Sequence, residues 1–260
     1  MMYPTKWRDV VFTNQKALFA ALCTAAFANL LFNVCVIEDA YVTFRVVDNF
    51  IHGYGLRWNI DERVQAYTNP LWMLLHIPLY AVFRNIFLVT CFLSVTFSAL
   101  AVFLLLRVQP SISLVHKALF IVIPLTLSRT FNQYAASGLE NPLSFCLLAW
   151  FLLEFFRKNV NYYRCCFITA LCVFNRMDTI ILLFPALLWM TWGRRREIHY
   201  YRLLLAISPF LLWCLFSLVY YGFIFPNTKY AKINTGIPLL ELVQQGGLYF
   251  FNFAYFDPIA

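Results

Sequence analysis

Three uninterrupted apolar runs, at 17–37, 86–106 and 202–223, constrain this chain more than any other feature. Each holds about 20 residues, enough as a helix to cross a hydrocarbon core ~30 Å thick. In lipid every backbone polar group has to be satisfied within the spanning segment, so such runs fold as helices. Shorter apolar runs lie at 118–128, 140–156, 163–175 and 179–193. Hydrophobic residues make up 62% of the 260 and charged residues 12%, about half the charged fraction of a soluble domain. The expected class is an all-α polytopic membrane protein.

Lys6, Arg8 and Lys16 precede an apolar stretch holding Ala26-Phe27-Ala28, the outline of a signal peptide. The run continues to Ile37, too long for a cleaved hydrophobic region, and reads as an uncleaved first span. All eight cysteines fall inside apolar runs or at their ends, with no histidine at metal-site spacing. They read as free thiols acting as small hydrophobes.

The net charge of +8 does not point to nucleic acid, because the basic residues sit in short loops between apolar runs. Cytoplasmic loops collect Lys and Arg. Four basic clusters stand out: Lys6/Arg8/Lys16, Arg107/Lys117, Arg157/Lys158/Arg164 and Arg194/Arg195/Arg196/Arg202. With all four in the cytoplasm, the runs cross in pairs at 17–37, 86–106, 118–130, 140–156, 163–176, 179–193 and 202–223. Seven spans result, with the N-terminus inside. The segment 70–83 is short, interrupted by Pro78 and bounded by Pro70 and Arg84, and is expected as an in-plane or re-entrant outer helix. Nine of the twelve acids then face outward, and only Asp9, Glu154 and Glu197 stay inside. The tail 237–260 reads as a surface helix followed by an aromatic stretch at the interface, the start of a further C-terminal region. The chain thus divides into a transmembrane module, 1–236, with an outer loop at 38–85, and the tail.

Four polar clusters meet the outer face in this topology: the loop after span one (Glu38, Asp39, Arg45, Asp48, His52, Asp61, Glu62, Arg63), 129–141 (Arg129, Asn132, Gln133, Glu140), 175–178, and 226–236 with Lys229, Tyr230 and Lys232. Acids and arginines at a membrane boundary are costly and mark ion paths, proton relays or catalytic pockets. Carboxylates that can activate a nucleophile and cations that can hold an anion suit transfer from a lipid phosphate. Each residue also has a plainer reading. Asp39 is equally a solvated helix-end acid, Arg176 and Asp178 an ion pair closing a turn, and Arg129, Lys229 and Lys232 headgroup anchors. Trp58, Tyr67 and Trp72 are either sugar platforms or interfacial anchors.

The run EDAYVTFR…GYGLRWNIDERVQAYTNPLW at 38–72 resembles the first outer loop of GT-C superfamily membrane glycosyltransferases. The branch is that of the mycobacterial terminal β-(1→2)-arabinofuranosyltransferase and related bacterial proteins. Matches continue in order with SGLE at 137–140, RMD at 176–178 and PNTKYAK at 226–232. The chain departs from that pattern at Glu38 (first Asp), Asp61 (Gly before Glu62) and Met177 (Pro). The resemblance implies a transferase that moves a sugar, with arabinofuranose expected, from a polyprenyl phosphate to a hydroxyl on a cell-surface glycan or glycoprotein. It implies Asp39 as catalytic base with Glu38 beside it, and a substrate- and phosphate-binding set of Arg129, Glu140, Arg176, Asp178, Asn227, Tyr230, Lys232, Glu62 and Arg63. No histidine or cysteine spacing suggests a metal, although a divalent cation held by Glu38 and Asp39 stays open. The expected location is the inner (plasma) membrane, multi-pass, with the active site extracytoplasmic. The alternative is a truncated, non-catalytic homologue that binds lipid-linked sugar or assists a partner transferase. A transporter would place its charges at mid-membrane, whereas these cluster at one face.

Overall fold

A computed structural model describes the backbone of residues 5–194, 197–233 and 236–259, and the side chains of 14–193, 197–230 and 236–259. Every regular element among the described residues is helical. Helix α1 (Thr5–Phe32) is followed by α2 (Ala40–Ile51), α3 (Pro70–Phe83) and α4 (Ile86–Val108). Next come α5 (Leu114–Lys117), a π segment (Ala118–Val122) and α6 (Ile123–Leu127), one helical column with a wide turn inside it. The wide turn precedes Pro124, whose ring removes an N–H and crowds the carbonyl four residues back, and the π register accommodates both. Short α7 (Arg129–Tyr134) leads to α8 (Asn141–Phe155), α9 (Tyr162–Asn175), a 3-10 turn (Met177–Thr179), α10 (Ile180–Arg194), α11 (Tyr200–Tyr221), α12 (Asn227–Ile233) and α13 (Leu239–Phe256).

Three helical stretches are long and apolar enough to cross a membrane: Asn14–Phe32, Ile86–Val108 and Tyr200–Tyr221. Helices α8, α9 and α10 have 15, 14 and 15 residues, roughly 22 Å at 1.5 Å per residue. Three of the seven expected crossings therefore stand on length alone.

The first span ends earlier than its hydrophobicity suggests. The apolar run reaches Ile37, but α1 stops at Phe32. Asn33 turns its Nδ2 back to the Asn29 carbonyl at 2.8 Å, the local side-chain competition that makes Asn a poor helix continuer. Beyond it Cys35 N–H donates to Ala136 O at 3.1 Å and Ile37 N–H to Ser137 O at 3.0 Å. Residues 33–37 thus leave the helix to pair with the segment before α8, and Val34 packs with Leu30, Ala135 and Ala136.

Helix α3 forms over the expected in-plane segment, with Pro70 at its first turn and Pro78 inside. Proline is tolerated at the first helical position because that N–H has no intrahelical partner anyway. The two largest core clusters lie around this helix. One joins Trp72 to Val89, Leu93, Leu147, Phe151 and Ile168, and the other joins Met73 to Val46, Val47, Tyr67, Phe174 and Trp213. Because α3 is shared by both, it fixes the segment 38–85 against α4, α9 and α11. His76 is fully buried in α3, its Nδ1 2.9 Å from Trp72 O and its Nε2 3.0 Å from Thr90 Oγ1.

Cys146, Cys165, Cys166 and Cys172 are buried as expected, although Cys35 is exposed in the extended link. Within the tail, Leu239–Phe256 forms a single helix, so the aromatics at 249–256 belong to α13 instead of following it. That helix is exposed along its length apart from a half-buried Gly246.

Candidate functional site

The sequence of α8 places Glu140 immediately ahead of its first turn, and that carboxylate organises the site. Glu140 is 5% exposed. Its Oε1 accepts from Arg176 Nη1 at 2.9 Å, and its Oε2 accepts from Asn69 Nδ2 at 2.9 Å. Asn69 Oδ1 in turn accepts from the Thr43 hydroxyl at 3.0 Å. Arg176 also directs Nε at both oxygens of Asp178, at 2.9 and 3.0 Å. A continuous chain therefore runs Thr43–Asn69–Glu140–Arg176–Asp178 and ties α2, the start of α3, the start of α8 and the α9–α10 turn together.

Arg176 reaches this position because α9 ends there: it is the C-cap residue in extended backbone, and Asp178 lies in the 3-10 turn that follows. Burial pulls the Arg176 guanidinium's pKa down, but the charges of Glu140 and Asp178 and their hydrogen bonds outweigh this and raise it. The preceding residue, Asn175, fixes the same corner by donating to Glu140 O at 3.1 Å and Ser144 Oγ at 2.9 Å. Gly138, two residues before Glu140, takes φ +82°, and a Cβ there would lie 3.2 Å from Ala40 Cβ and 3.3 Å from Thr90 Cγ2. The glycine of SGLE thus lets the α8 entry press against the first residue of α2. Trp72 Nε1 donates to Gly138 O at 3.1 Å, closing the contact from the α3 side.

Asp39 occupies the N-cap position of α2 and makes no capping hydrogen bond with its side chain. It lies four residues before Thr43, so helical spacing aligns it with the face that leads to Asn69 and Glu140. Asp39 and Glu38 are both exposed. Glu38 lines a different space, a groove of about 520 Å3 with Tyr41, Arg45, Asp48, Trp58 and Tyr80. The two adjacent acids therefore serve different faces of one helix start.

The fourth motif joins through loop backbone. Asn227 N–H donates to Gln65 O at 3.0 Å, and Ser217 Oγ donates to Gln65 Oε1 at 3.0 Å. Tyr230 packs its ring on Phe223, and Lys229 Nζ stands 3.3 Å from the Phe225 ring centroid. The side chain of Lys232 lies outside the described residues, as do those of Lys6, Arg8, Arg194, Arg195 and Arg196.

The remaining expected site residues stay apart from the Glu140 chain. Arg129 is exposed at the start of α7, and Glu62 accepts from Asn59 Nδ2 at 2.6 Å. Arg63 lies over the Tyr220 ring, 5.3 Å from its centroid. Of the three aromatics weighed as sugar platforms, Trp72 and Tyr67 are buried at 0% and 2% exposure, and Trp58 has the Arg45 guanidinium 4.2 Å above its ring. Among the described residues, no three His, Cys, Asp or Glu side chains gather as a metal site.

Sequence reasoning did not single out Thr43 or Asn69. Asn69 precedes Pro70 and reads as a helix cap, yet its side chain makes no cap bond. The following proline keeps Asn69 out of the helical region, at φ −123° and ψ 62°, and its side-chain amide joins Thr43 to Glu140 instead. No family model, curated protein or solved structure matches this chain.

Proposed function

We propose that the chain is a membrane glycosyltransferase of GT-C type, moving a sugar from a polyprenyl phosphate to a hydroxyl acceptor at the extracytoplasmic face. The observation that carries this reading is the convergence on Glu140. Residues from the outer loop, from SGLE and from RMD, three ordered segments of the resemblance, contribute to one hydrogen-bonded chain.

In this reading α8, α9, α10 and the column 114–127 join the three long helices to make seven crossings, and local thinning of the bilayer accommodates the short ones. The donor's polyprenyl tail stays in lipid while its phosphate meets the outer loop. Asp39 takes the proton of the acceptor hydroxyl, whose oxygen then attacks the anomeric carbon. The bond from that carbon to the phosphate oxygen breaks, and the electron pair leaves on polyprenyl phosphate. Arg129, Lys232 and the open Nη2 of Arg176 supply positive charge to the leaving phosphate. Arg176 commits Nε and Nη1 to carboxylates, so much of its work is positioning the α9–α10 turn. A divalent cation would be held by Glu38 and Asp39, although the two carboxylates serve different faces of the helix start, and it would neutralise charge on the leaving phosphate. Arabinofuranose is the proposed donor sugar, and a cell-surface glycan or glycoprotein the acceptor.

The test is release and transfer of radiolabelled arabinose from polyprenyl-phosphate arabinose by the full chain in nanodiscs, wild type beside Asp39→Asn. Asp39 is exposed, so the variant should fold, and turnover should fall by about 100-fold or more, the usual reach of a general base. Near-normal turnover in Asp39→Asn would remove Asp39 from the base role.

A further inference from the structure

The groove beside Glu38 has a chemistry of its own. Glu38, Tyr41, Arg45 and Asp48 recur at three- and four-residue spacing and share one face at the start of α2. Across from them stand Trp58 and Tyr80, and the open groove between measures about 520 Å3, within the range of small-molecule sites. None of these residues takes part in the Glu140 chain, and Asp39 does not line the groove.

Its polar groups are fixed from their flanks. The Arg45 guanidinium lies 4.2 Å from the centroid of the Trp58 ring, which holds the fork flat. The Tyr80 hydroxyl donates to Asp48 Oδ1 at 2.7 Å, and His52 Nδ1 approaches the same oxygen at 3.4 Å. Tyr41 sets its ring edge-on to Phe44 and remains 60% exposed. The Glu38 carboxylate carries no hydrogen bond or ion pair among the described residues, and the residue is exposed.

We infer that this groove binds a neutral glycan and is the acceptor subsite of the proposed transferase, an inference that rests on that reading. Sugar hydroxyls both donate and accept. Glu38 and Asp48 supply acceptors, Arg45 supplies a planar set of donors, and Tyr41 offers a face for sugar C–H groups. Two carboxylates against one guanidinium leave the lining negative, so a uronic acid or a phosphorylated sugar meets like charge there. Glu38 immediately precedes Asp39 in the chain, so the Glu38 end of the groove lies one residue from the proposed base.

Saturation-transfer NMR on the full chain in nanodiscs tests this without any need for turnover. The probes are methyl α-arabinofuranoside and methyl α-mannopyranoside as neutral glycosides and methyl glucuronoside as an anionic one. Wild-type protein should transfer saturation to at least one neutral glycoside and not to the glucuronoside. Arg45→Gln should weaken the neutral contact about five- to tenfold, a loss of roughly one hydrogen bond. Tyr41→Ala removes an exposed ring, so the fold is not at stake, and it should weaken binding comparably. No binding of a neutral glycoside, equal binding of the glucuronoside, or wild-type binding by both variants overturns the inference. Because glycoside binding is read apart from donor cleavage, donor turnover without glycoside binding overturns the groove alone. Glycoside binding without turnover supports the groove and counts against the transferase.

Discussion

Glu140 and Arg176 meet at 2.9 Å across the junction of α8 and α9, and the same helix pair is clasped at its other end. There Glu154, 2% exposed, sits 3.1 Å from Arg157 and 3.7 Å from Arg164. Helix α8 thus carries a buried acid near each end, and α9 answers each with an arginine at or beyond its own terminus. A carboxylate buried this deeply needs charge partners, which both acids have, and Glu140 is also hydrogen-bonded at both oxygens. The two clasps therefore fix both the register and the tilt of this hairpin.

Removal of Glu140 should show that the clasp is structural as well as electrostatic. Glu140→Ala leaves Asn69 Nδ2 without its acceptor and Arg176 short of one, and should destabilise the protein by about 2–4 kcal/mol. The partial exposure of Arg176 keeps the figure at the lower end of buried-pair values. Glu140→Gln keeps the shape and one acceptor and should lose about half as much. Thermal unfolding in detergent reads both. A double-mutant cycle with Asn69→Ala should be non-additive by more than about 0.5 kcal/mol, as expected for groups in one network. Additive losses would mean that the Asn69–Glu140 bond contributes nothing.

The sequence announces the helices through their apolar runs, and caps such as Asn85, Ser113, Ser128 and Asn161 fall where helices start. Glu140, Arg176 and Asp178 stood out because buried or boundary charges among apolar residues demand partners. What remained hidden was which neutral residues bridge them. Thr43 and Asn69 sit 26 residues apart and become partners only when α2 and α3 pack together. The early end of α1 was equally hidden, because residues 34–37 are apolar either way and only the pairing with 136–137 decides their conformation. Hydropathy reports burial, and it does not tell helix from buried extended chain.

Gly138 and Gly53 offer a controlled comparison of crowding against backbone strain. Both take positive φ, +82° and +86°, but a Cβ at Gly53 meets nothing within 4 Å, whereas at Gly138 it presses on Ala40 and Thr90. Gly53→Ala should cost about 1 kcal/mol, the left-handed penalty for a residue with a Cβ. Gly138→Ala should cost about 2–3 kcal/mol, since crowding in a packed interior adds to it. Equal losses would show that the α8 entry can back away from α2.

Tyr67 and Tyr221 join hydroxyls at 2.9 Å, and Tyr221 also donates to Leu56 O, so one side chain of α11 holds two parts of the outer loop. All three groups are buried. Tyr221→Phe leaves the Tyr67 hydroxyl and a loop carbonyl unpaired and should destabilise by about 1–3 kcal/mol. Amide exchange should quicken around 55–58 and 66–68 well before the bundle unfolds. Uniform quickening along the chain would mean that the bond supports global stability without holding the loop.

Asp257 anchors the end of the tail, and its pH dependence can be tested. The carboxylate is 4% exposed, with Oδ2 accepting from the Ser128 hydroxyl at 2.8 Å and from Thr130 N–H at 2.7 Å. Burial acts to raise its pKa, but the bonds from Thr130, Ser128 and the Ile259 N–H outweigh it and hold the group below its ordinary value. A carboxylate depressed on docking binds fewer protons docked than free, so docking weakens as protons are added. The contribution is fully present above the ordinary aspartate range near 3.9 and is lost as pH falls through the lower, docked value. Protease nicking between 236 and 256 should therefore be slow at neutral pH and rise below about pH 4. Asp257→Asn keeps the shape but lacks the charge, so its tail should be nicked faster than wild type at pH 7 and respond little to acid. A wild-type tail whose nicking is flat from neutral to acid would show that Asp257 does not govern docking, and that α13 is held at this end by the bilayer alone.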